Sequence, residues 1–369
     1  MRAVDSIEGK RFVRKRAVDE AERISPLNVA VVGYGYWGPN LVRNVMTSST
    51  MQLAALCERH PARADAFRSR MPGVRIEEDL DALLLDPSLD AVIVATPPNT
   101  HHALCKRALQ ADKHVLVEKP MARSSAEACE LKAMAEHRGL VIMPGHTFIY
   151  SPAVNKVREL IHGGEVGEVY FVTSSRMNLG NYQPDGVVCD LAPHDLSILL
   201  HWLGRPVVQV SASSRNIFQD HVAETAFITL TFEGGTTANV QVSWLAPRKV
   251  RQMMIVGSNK MISYDDTLSD EPVRLHDRGM EMEFSPPESF GEYQLTYRSG
   301  DVISPRVEAA EPLGLELQDF ARAILTGSTP ASSARLGVDV VMAMEAAETS
   351  LERGGEPVML RAMPEAAVA

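Results

Sequence analysis

The apolar run Leu27-Asn28-Val29-Ala30-Val31-Val32 passes without a spacer into Gly33-Tyr34-Gly35-Tyr36-Trp37-Gly38, and Leu41, Val42, Val45 and Met46 follow at helical spacing. Few backbones satisfy such a stretch. A strand that feeds a helix through G-x-G-x-x-G uses the first glycine for a tight turn, the second for close approach to a pyrophosphate and the third for helix–strand packing, with the helix N-terminus facing the anion. The next apolar run, residues 52–56, ends in Cys57-Glu58. Glu58 stands about 20 residues past Gly38, where a carboxylate accepts hydrogen bonds from the adenosine ribose diol. The pattern therefore predicts NAD rather than NADP. Arg59, next to it, is the residue that could instead pair with the extra phosphate of NADP.

The same grammar repeats along the first half. Asp90-Ala-Val-Ile-Val-Ala-Thr96 reads as a buried strand, Pro97-Pro98-Asn99-Thr100 turns over its carboxyl end, and a helix over residues 101–110 leads into Val115-Leu116-Val117. That run stops at Glu118-Lys119-Pro120. Uninterrupted apolar runs are the mark of parallel strands buried on both faces, and in open α/β sheets ligands sit at the carboxyl edge, so Lys119 is fixed where chemistry takes place. Ser124-Ser125-Ala126-Glu127 supplies a capping box, Gly139 ends the helix it starts, and Leu140-Val141-Ile142-Met143 is the closing strand. The candidate cofactor-binding set is Gly33, Gly35, Tyr36, Trp37, Gly38, Glu58, Arg59, Thr96, Pro97, Asn99, His101, Glu118 and Lys119. His101 and His102, side by side at a helix start, are expected to be partly solvated and stay out of the catalytic set.

With 369 residues the chain has room for about two domains. A net charge of −10, from 37 Lys plus Arg against 47 Asp plus Glu, repels phosphate backbones and anionic membrane surfaces, which argues against nucleic-acid and membrane binding. Cys57, Cys105, Cys129 and Cys189 lie far apart with no CxxC pair, a usage that fits a reducing cytoplasm and neither a zinc cluster nor a disulfide framework. Residues 1–24 are crowded with charge and read as a polar extension without a signal-peptide core, and no run approaches the ~18 apolar residues of a spanning helix. The expected organisation is an extension over 1–24, a Rossmann doubly wound parallel sheet over 25–147, and a C-terminal α/β domain over 148–369.

In the second half a helix over residues 153–161 ends at Gly163-Gly164, and strand-like runs then dominate, at 168–177, 207–213, 224–232, 236–245 and 250–256. Gly234-Gly235 joins two of them as a hairpin in which one face (Ala226, Ile228, Leu230, Phe232, Ala238, Val240, Val242, Trp244) is apolar and the other (Phe227, Thr229, Thr231, Thr237, Asn239, Gln241, Ser243) mixed. A large open, mostly antiparallel sheet with helices on one face satisfies that pattern. Residues 267–307 read as loop-dominated, and helical periodicity returns at 313–325 and 334–351. Asp190-Leu-Ala-Pro-His194-Asp-Leu-Ser-Ile-Leu-Leu-His201-Trp-Leu-Gly204 reads as a helix that Asp190 can cap and Gly204 closes. Asp190, one turn before His194, can orient the imidazole and raise its pKa, as suits a proton-transferring base. An acid and a histidine supply only part of a metal-ligand set, so no metal is expected.

Gly33-Tyr-Gly-Tyr-Trp-Gly38, Glu118-Lys119-Pro120 and Asp190-Leu-Ala-Pro-His194, in this order over most of the chain, resemble the glucose-fructose oxidoreductase, inositol dehydrogenase and rhizopine catabolism (Gfo/Idh/MocA) family. The resemblance implies a tightly held NAD(P), oxidation or reduction at a secondary alcohol of a sugar or cyclitol, and assembly into dimers or tetramers. It places the EKP lysine, ahead of a cis proline, by the reacting oxygen, and gives the acid/base role to the D-x-x-x-H pair, hence the catalytic set Lys119, Asp190 and His194. Arg176-Met-Asn178-Leu-Gly180 before this helix looks most like members acting on nucleotide-linked or amino sugars, and the substrate set becomes Lys119, His146, Arg176, Asn178, Asp190 and His194. In the implied mechanism His194 exchanges the proton, Asp190 fixes its tautomer and Lys119 stabilises alkoxide charge. A cyclitol dehydrogenase, and a regulator that senses NAD(H) or a sugar without turnover, share this fold.

Overall fold

The computed structural model describes residues 25–180, 182–282 and 295–360. The N-terminal extension over 1–24 lies outside them, as does part of the stretch over 267–307. Six parallel strands, β1 (Leu27–Val32), β2 (Met51–Cys57), β3 (Arg75–Glu77), β4 (Ala91–Val94), β5 (His114–Glu118) and β6 (Ile142–Gly145), form the first sheet in the order β3-β2-β1-β4-β5-β6. Helices α1 (Gly38–Thr47), α2 (Pro61–Arg70), α3 (Leu80–Leu84), α4 (His101–Gln110) and α5 (Ser125–Arg138) connect them. The strand order reverses between β1 and β4, so their carboxyl ends splay into the crevice that doubly wound sheets offer to ligands. Both faces of this sheet are dry: Val29, Val31, Ile93 and Leu116 face one core, and Ala30, Val32, Val92 and Val115 face the other.

The second half contributes α6 (Pro152–His162), β7 (Val169–Leu179), α7 (Gly186–Leu203), β8 (Val207–Arg215), β9 (Thr225–Phe232), β10 (Thr237–Ser243), β11 (Leu245–Gly257), β12 (Met261–Asp265), β13 (Val273–His276), β14 (Gly279–Met282), β15 (Leu295–Arg298), β16 (Val302–Ile303), α8 (Pro312–Thr326), α9 (Ala334–Glu352) and β17 (Val358–Met359). Nine of its strands make one sheet in the order β16-β13-β12-β11-β7-β10-β9-β8-β17, antiparallel except for the β7–β10 pair. Within the stretch over 267–307, loop for about half of its described residues, lie the four short strands β13 to β16. Val273 and Leu275 point inward while Arg274 points out, an alternation too short to stand out among the Pro, Glu and Asp around it.

Helices α6 and α7 cover one face of the nine-stranded sheet. The other face, with Phe171, Phe227, Thr229, Thr237 and Asn239, is exposed. The last two helices return to the first sheet. Leu313, Leu317 and Phe320 of α8 join the Val29/Leu116 core, and α9 puts Val338 and Val341 into the Val92/Val115 core while Val340 and Ala343 enter the core of the second sheet.

Candidate active site

Backbone geometry explains each glycine of the first turn. Gly33 has φ 98°, and a Cβ on it would sit 2.7 Å from Ala95 O; a Cβ on Gly38 would sit 2.5 Å from Gly33 O. At Gly35 the nearest atom to such a Cβ is Arg63 Nη1 at 3.9 Å, so this position opens toward the crevice. Tyr36, between them, is almost wholly exposed, and the buried Trp37 Nε1 faces the Glu118 carboxylate. Glu58 is buried, unlike a solvated loop acid: its two oxygens accept from Tyr34 N and His60 N at 2.8 Å each, tying the glycine turn to the end of β2. Arg59 points to solvent. The cation beside Glu58 is Arg63, 4.0 Å away in the first turn of α2, where Pro61 starts the helix and brings position 63 back over the glycine turn.

Beyond β4, Thr96 Oγ1 pairs with Thr100 Oγ1 at 2.6 Å, and Pro97 and Asn99 are exposed at the rim. His101 corrects the expectation of a partly solvated, cofactor-contacting ring. It is fully buried, with Nδ1 2.8 Å from Pro120 O and Nε2 2.8 Å from Thr96 O. Strand-end carbonyls at a sheet edge lack ladder partners, and this imidazole lies between two of them at the turns after β4 and β5; burial lowers its pKa, and the neutral ring has one N–H to donate to one of the two. His102 is on the surface, with Nε2 2.8 Å from Glu130 Oε2.

The peptide bond between Lys119 and Pro120 is cis, and Lys119 Nζ reaches across to α7. There it donates to Asp190 O at 2.7 Å and to Asp190 Oδ1 at 3.3 Å, while Trp244 Nε1 donates to Asp190 Oδ2 at 3.0 Å. Two expectations fail here. Helix α7 begins at Gly186, so Asp190 lies inside it and caps nothing; Pro193, also inside, carries no N–H for the carbonyl of Cys189, the residue before Asp190. Nor does Asp190 fix the tautomer of His194 or raise its pKa. Both Asp190 oxygens are engaged elsewhere, His194 Nδ1 is buried without a partner, and the ring is held well below its ordinary pKa by burial and by Lys119, Arg176, Arg251 and His146. His194 is thus a neutral imidazole beside a Lys119–Asp190–Trp244 array.

Beneath His194 lies Phe148, edge-on to its ring at 4.9 Å between centroids. The guanidinium carbons of Arg176 and Arg251 stand 4.4 and 5.3 Å from the Phe148 centroid, and aspartates hold both side chains from behind. Arg176 pairs with Asp195 at 2.7 and 3.2 Å, both residues being about 97 % or more buried, and Arg251 pairs with Asp266 at 2.8 Å. His146 is buried with neither ring nitrogen bonded among the described residues, its pKa lowered to about 3 by burial and Lys119. Asn178 sits half-exposed near the end of β7. Asp195, Phe148, Arg251, Trp244 and Arg63 were absent from the sequence-derived set. Asp195 alone had a local signal, as the acid following His194.

A buried acid pair adjoins the crevice. Glu118 Oε1 is buried beside the Trp37 indole, Glu316 Oε1 is buried without a hydrogen-bond partner among the described residues, and Thr147 Oγ1 donates to Glu316 Oε2 at 2.8 Å. Burial, only partly offset by Lys119, pushes Glu118 up to about 7; burial and the nearby Glu118 carry Glu316 well above the carboxylate range. Between an unfolded carboxyl pKa near 4.5 and these raised values the folded state holds more protons, so this pair lowers stability as pH rises from about 4.5 to about 7 and beyond. Glu316→Gln, which keeps an acceptor for Thr147, is expected to gain on the wild type in urea melts at pH 8 and to converge with it near pH 4. Equal gains at both pH values would contradict this protonation assignment.

Two family models match the chain, "Oxidoreductase family, NAD-binding Rossmann fold" over residues 27–146 and "GFO/IDH/MocA C-terminal domain" over residues 154–263. The 1-carboxy-3-chloro-3,4-dihydroxycyclohexa-1,5-diene dehydrogenase of Comamonas testosteroni is 28% identical over 60% of this chain and 58% of its own length, so the match spans little more than half of that relative. The UDP-N-acetylglucosamine 3-dehydrogenase of Acidithiobacillus ferrooxidans is 30% identical over 65% of this chain and 74% of its own length. Its crystal structure superposes with a TM-score of 0.74 at 26% identity, covering 89% of this chain and 98% of that one. A protein of gentamicin A biosynthesis, solved in complex with NAD, shares the fold with a TM-score of 0.77 at 24% identity over 94% of this chain and all of its own. With both models in sequence over the two sheets just described, the chain belongs to the glucose-fructose oxidoreductase, inositol dehydrogenase and rhizopine catabolism family of NAD-binding oxidoreductases.

Proposed function

We propose that the chain is an NAD-dependent enzyme that moves a hydride to or from a secondary alcohol carbon of a nucleotide-linked or amino sugar. The observation that carries this reading is the convergence of Lys119, at the carboxyl edge of the first sheet, with Asp190 and His194 of α7. The crevice residues fit a dinucleotide: Gly35 is open where backbone must approach phosphate, between two glycines whose tight contacts fix the turn. When bound, the dinucleotide supplies the hydride donor or acceptor. The side chains manage the oxygen and its proton. Lys119 has three N–H groups and spends two on Asp190, leaving one to hold the substrate oxygen and stabilise alkoxide charge. His194, neutral at physiological pH, can accept the carbinol proton in oxidation and return it in reduction.

The similarity to a UDP-N-acetylglucosamine 3-dehydrogenase supports the nucleotide-sugar reading. The test is a screen of UDP-N-acetylglucosamine, free sugars and inositols for a change at the NADH absorbance, together with the redox state of cofactor that survives purification. Turnover of inositols alone would move the substrate class to cyclitols; no turnover of any sugar, with cofactor bound and unchanged, would leave a sensor.

Glu58 is proposed to set cofactor choice. NAD(H) should bind more tightly than NADP(H), and Glu58→Ala should narrow the gap; titration showing a wild-type preference for NADP(H) would transfer the role to Arg63. The exposed face of the second sheet is proposed to meet another copy of the chain. Cross-strand neighbours Asn239 and Thr229, joined at 3.2 Å, and Phe227 opposite Gln241 would lie in that contact. Light scattering at micromolar concentration is expected to report a dimer or tetramer, and a monomer would exclude the contact.

A further inference from the structure

Strand β11 leaves its ladder for four residues. Leu245 pairs with Leu179 and Val250 with Met177, so Ala246, Pro247, Arg248 and Lys249 stand opposite the single residue Asn178 of β7. A bulge of this size re-aims side chains, and its two flanks fix where it lies. On one side Trp244 donates to Asp190; on the other Arg251 faces the Phe148 ring that supports His194. Arg248 and Lys249 therefore lie on the stretch of β11 that runs between these two site residues. Both are exposed, and neither makes an ion pair or hydrogen bond among the described residues. The acids nearby are already committed: Asp266 to Arg251, and Asp265 to Gln252 and Thr267, although Asp265 still feels the charge of Arg248.

Two adjacent uncommitted cations, backed by a third in Arg251, are notable on a chain of net charge −10. Unpaired like charges repel, and an irregular stretch of strand that holds them together costs ladder hydrogen bonds as well. A ligand with clustered negative oxygens offsets both costs, through charge-assisted hydrogen bonds that a neutral sugar cannot provide. We propose that Arg248 and Lys249, with Arg251 behind them, bind the phosphate oxygens of a sugar substrate that carries a phosphate or diphosphate ester. The proposal rests on the sugar-oxidoreductase reading for the identity of the ligand, and it assigns the charged end of that ligand to the bulge while the carbinol end lies at Lys119 and His194.

The test measures binding by calorimetry on the NAD-loaded protein, with UDP and N-acetylglucosamine 1-phosphate as probes. The double variant Arg248→Ala/Lys249→Ala, both sites being on the surface, should keep its affinity for NAD and lose roughly tenfold or more in affinity for UDP. Wild-type UDP affinity should fall with added salt more steeply than that of the double variant. Binding of both probes would identify the ester phosphate as sufficient; binding of UDP alone would assign a nucleoside diphosphate. Absent UDP binding by the wild type, or equal affinity in the double variant, overturns the assignment. Loss of UDP affinity in the double variant, with no sugar oxidised by the wild type, would uphold the phosphate site and retire the catalytic reading instead.

Discussion

Lys119→Ala is expected to lower the single-turnover rate of hydride transfer by about 10²–10⁴-fold, the range found when a positioned proton-transfer or oxyanion group is removed. The side chain bridges the carboxyl edge of the first sheet to α7, bonded to both the carbonyl and the carboxylate of Asp190. Its loss removes the cation that would meet developing alkoxide charge and leaves Asp190 with Trp244 alone. The same change also removes one of the charges that disfavour protonation of His194, so the imidazole should protonate at higher pH in this variant than in the wild type. His194→Ala should lose rate over a similar range while leaving NAD affinity nearly unchanged, since the ring sits on α7 and the cofactor loop on β1. Rapid-mixing measurements across pH would check both. A wild-type rate in either variant would contradict the proposed division of roles.

Arg176→Ala is expected to destabilise the fold by about 3–5 kcal/mol, the cost of leaving a buried charge without its partner. Asp195 is 2 % exposed and takes both its hydrogen bonds from Arg176, which is itself 3 % exposed and stacked on Phe148. Replacing both charges, as in Arg176→Met/Asp195→Leu, should recover much of the loss, because hydrophobic replacement of a whole buried pair is often close to neutral. Urea denaturation of the three proteins would show it. A single variant as stable as the wild type would mean that water reaches Asp195 and that the pair is no part of the packed core.

The first sheet is legible because parallel strands buried on both faces spell themselves as continuous apolar runs, and the turn after β1 carries glycines whose Cβ would collide with Ala95 and with the turn itself. What the sequence conceals is pairing at a distance. Asp190 and His194 are one helical turn apart, and proximity suggested that they serve each other; yet Lys119 and Trp244, 71 and 54 positions away, occupy the carboxylate. Likewise Arg59 adjoins Glu58 in sequence while Arg63 adjoins it in space, since Pro61 turns the chain into a helix between them. His101 looked like a surface residue because histidine pairs at helix starts usually are; nothing local announces two strand-end carbonyls waiting for it. Register is equally invisible, and the bulge that sets Arg248 and Lys249 apart exists only relative to β7.

Helix α8 covers Val29, Val31 and Leu116 from a position more than 150 residues downstream of the glycine turn, and α9 inserts Val338 and Val341 on the opposite side. A fragment cut at residue 147 would therefore carry every strand of the first sheet but neither of these lids. The part of each apolar face that α8 and α9 cover would meet water, where burial is worth about 25 cal/mol per Å². Such a fragment should be insoluble during expression, and dissection of this protein into modules succeeds only if the last two helices are grafted onto the first, leaving the intervening sheet as the part that can be exchanged.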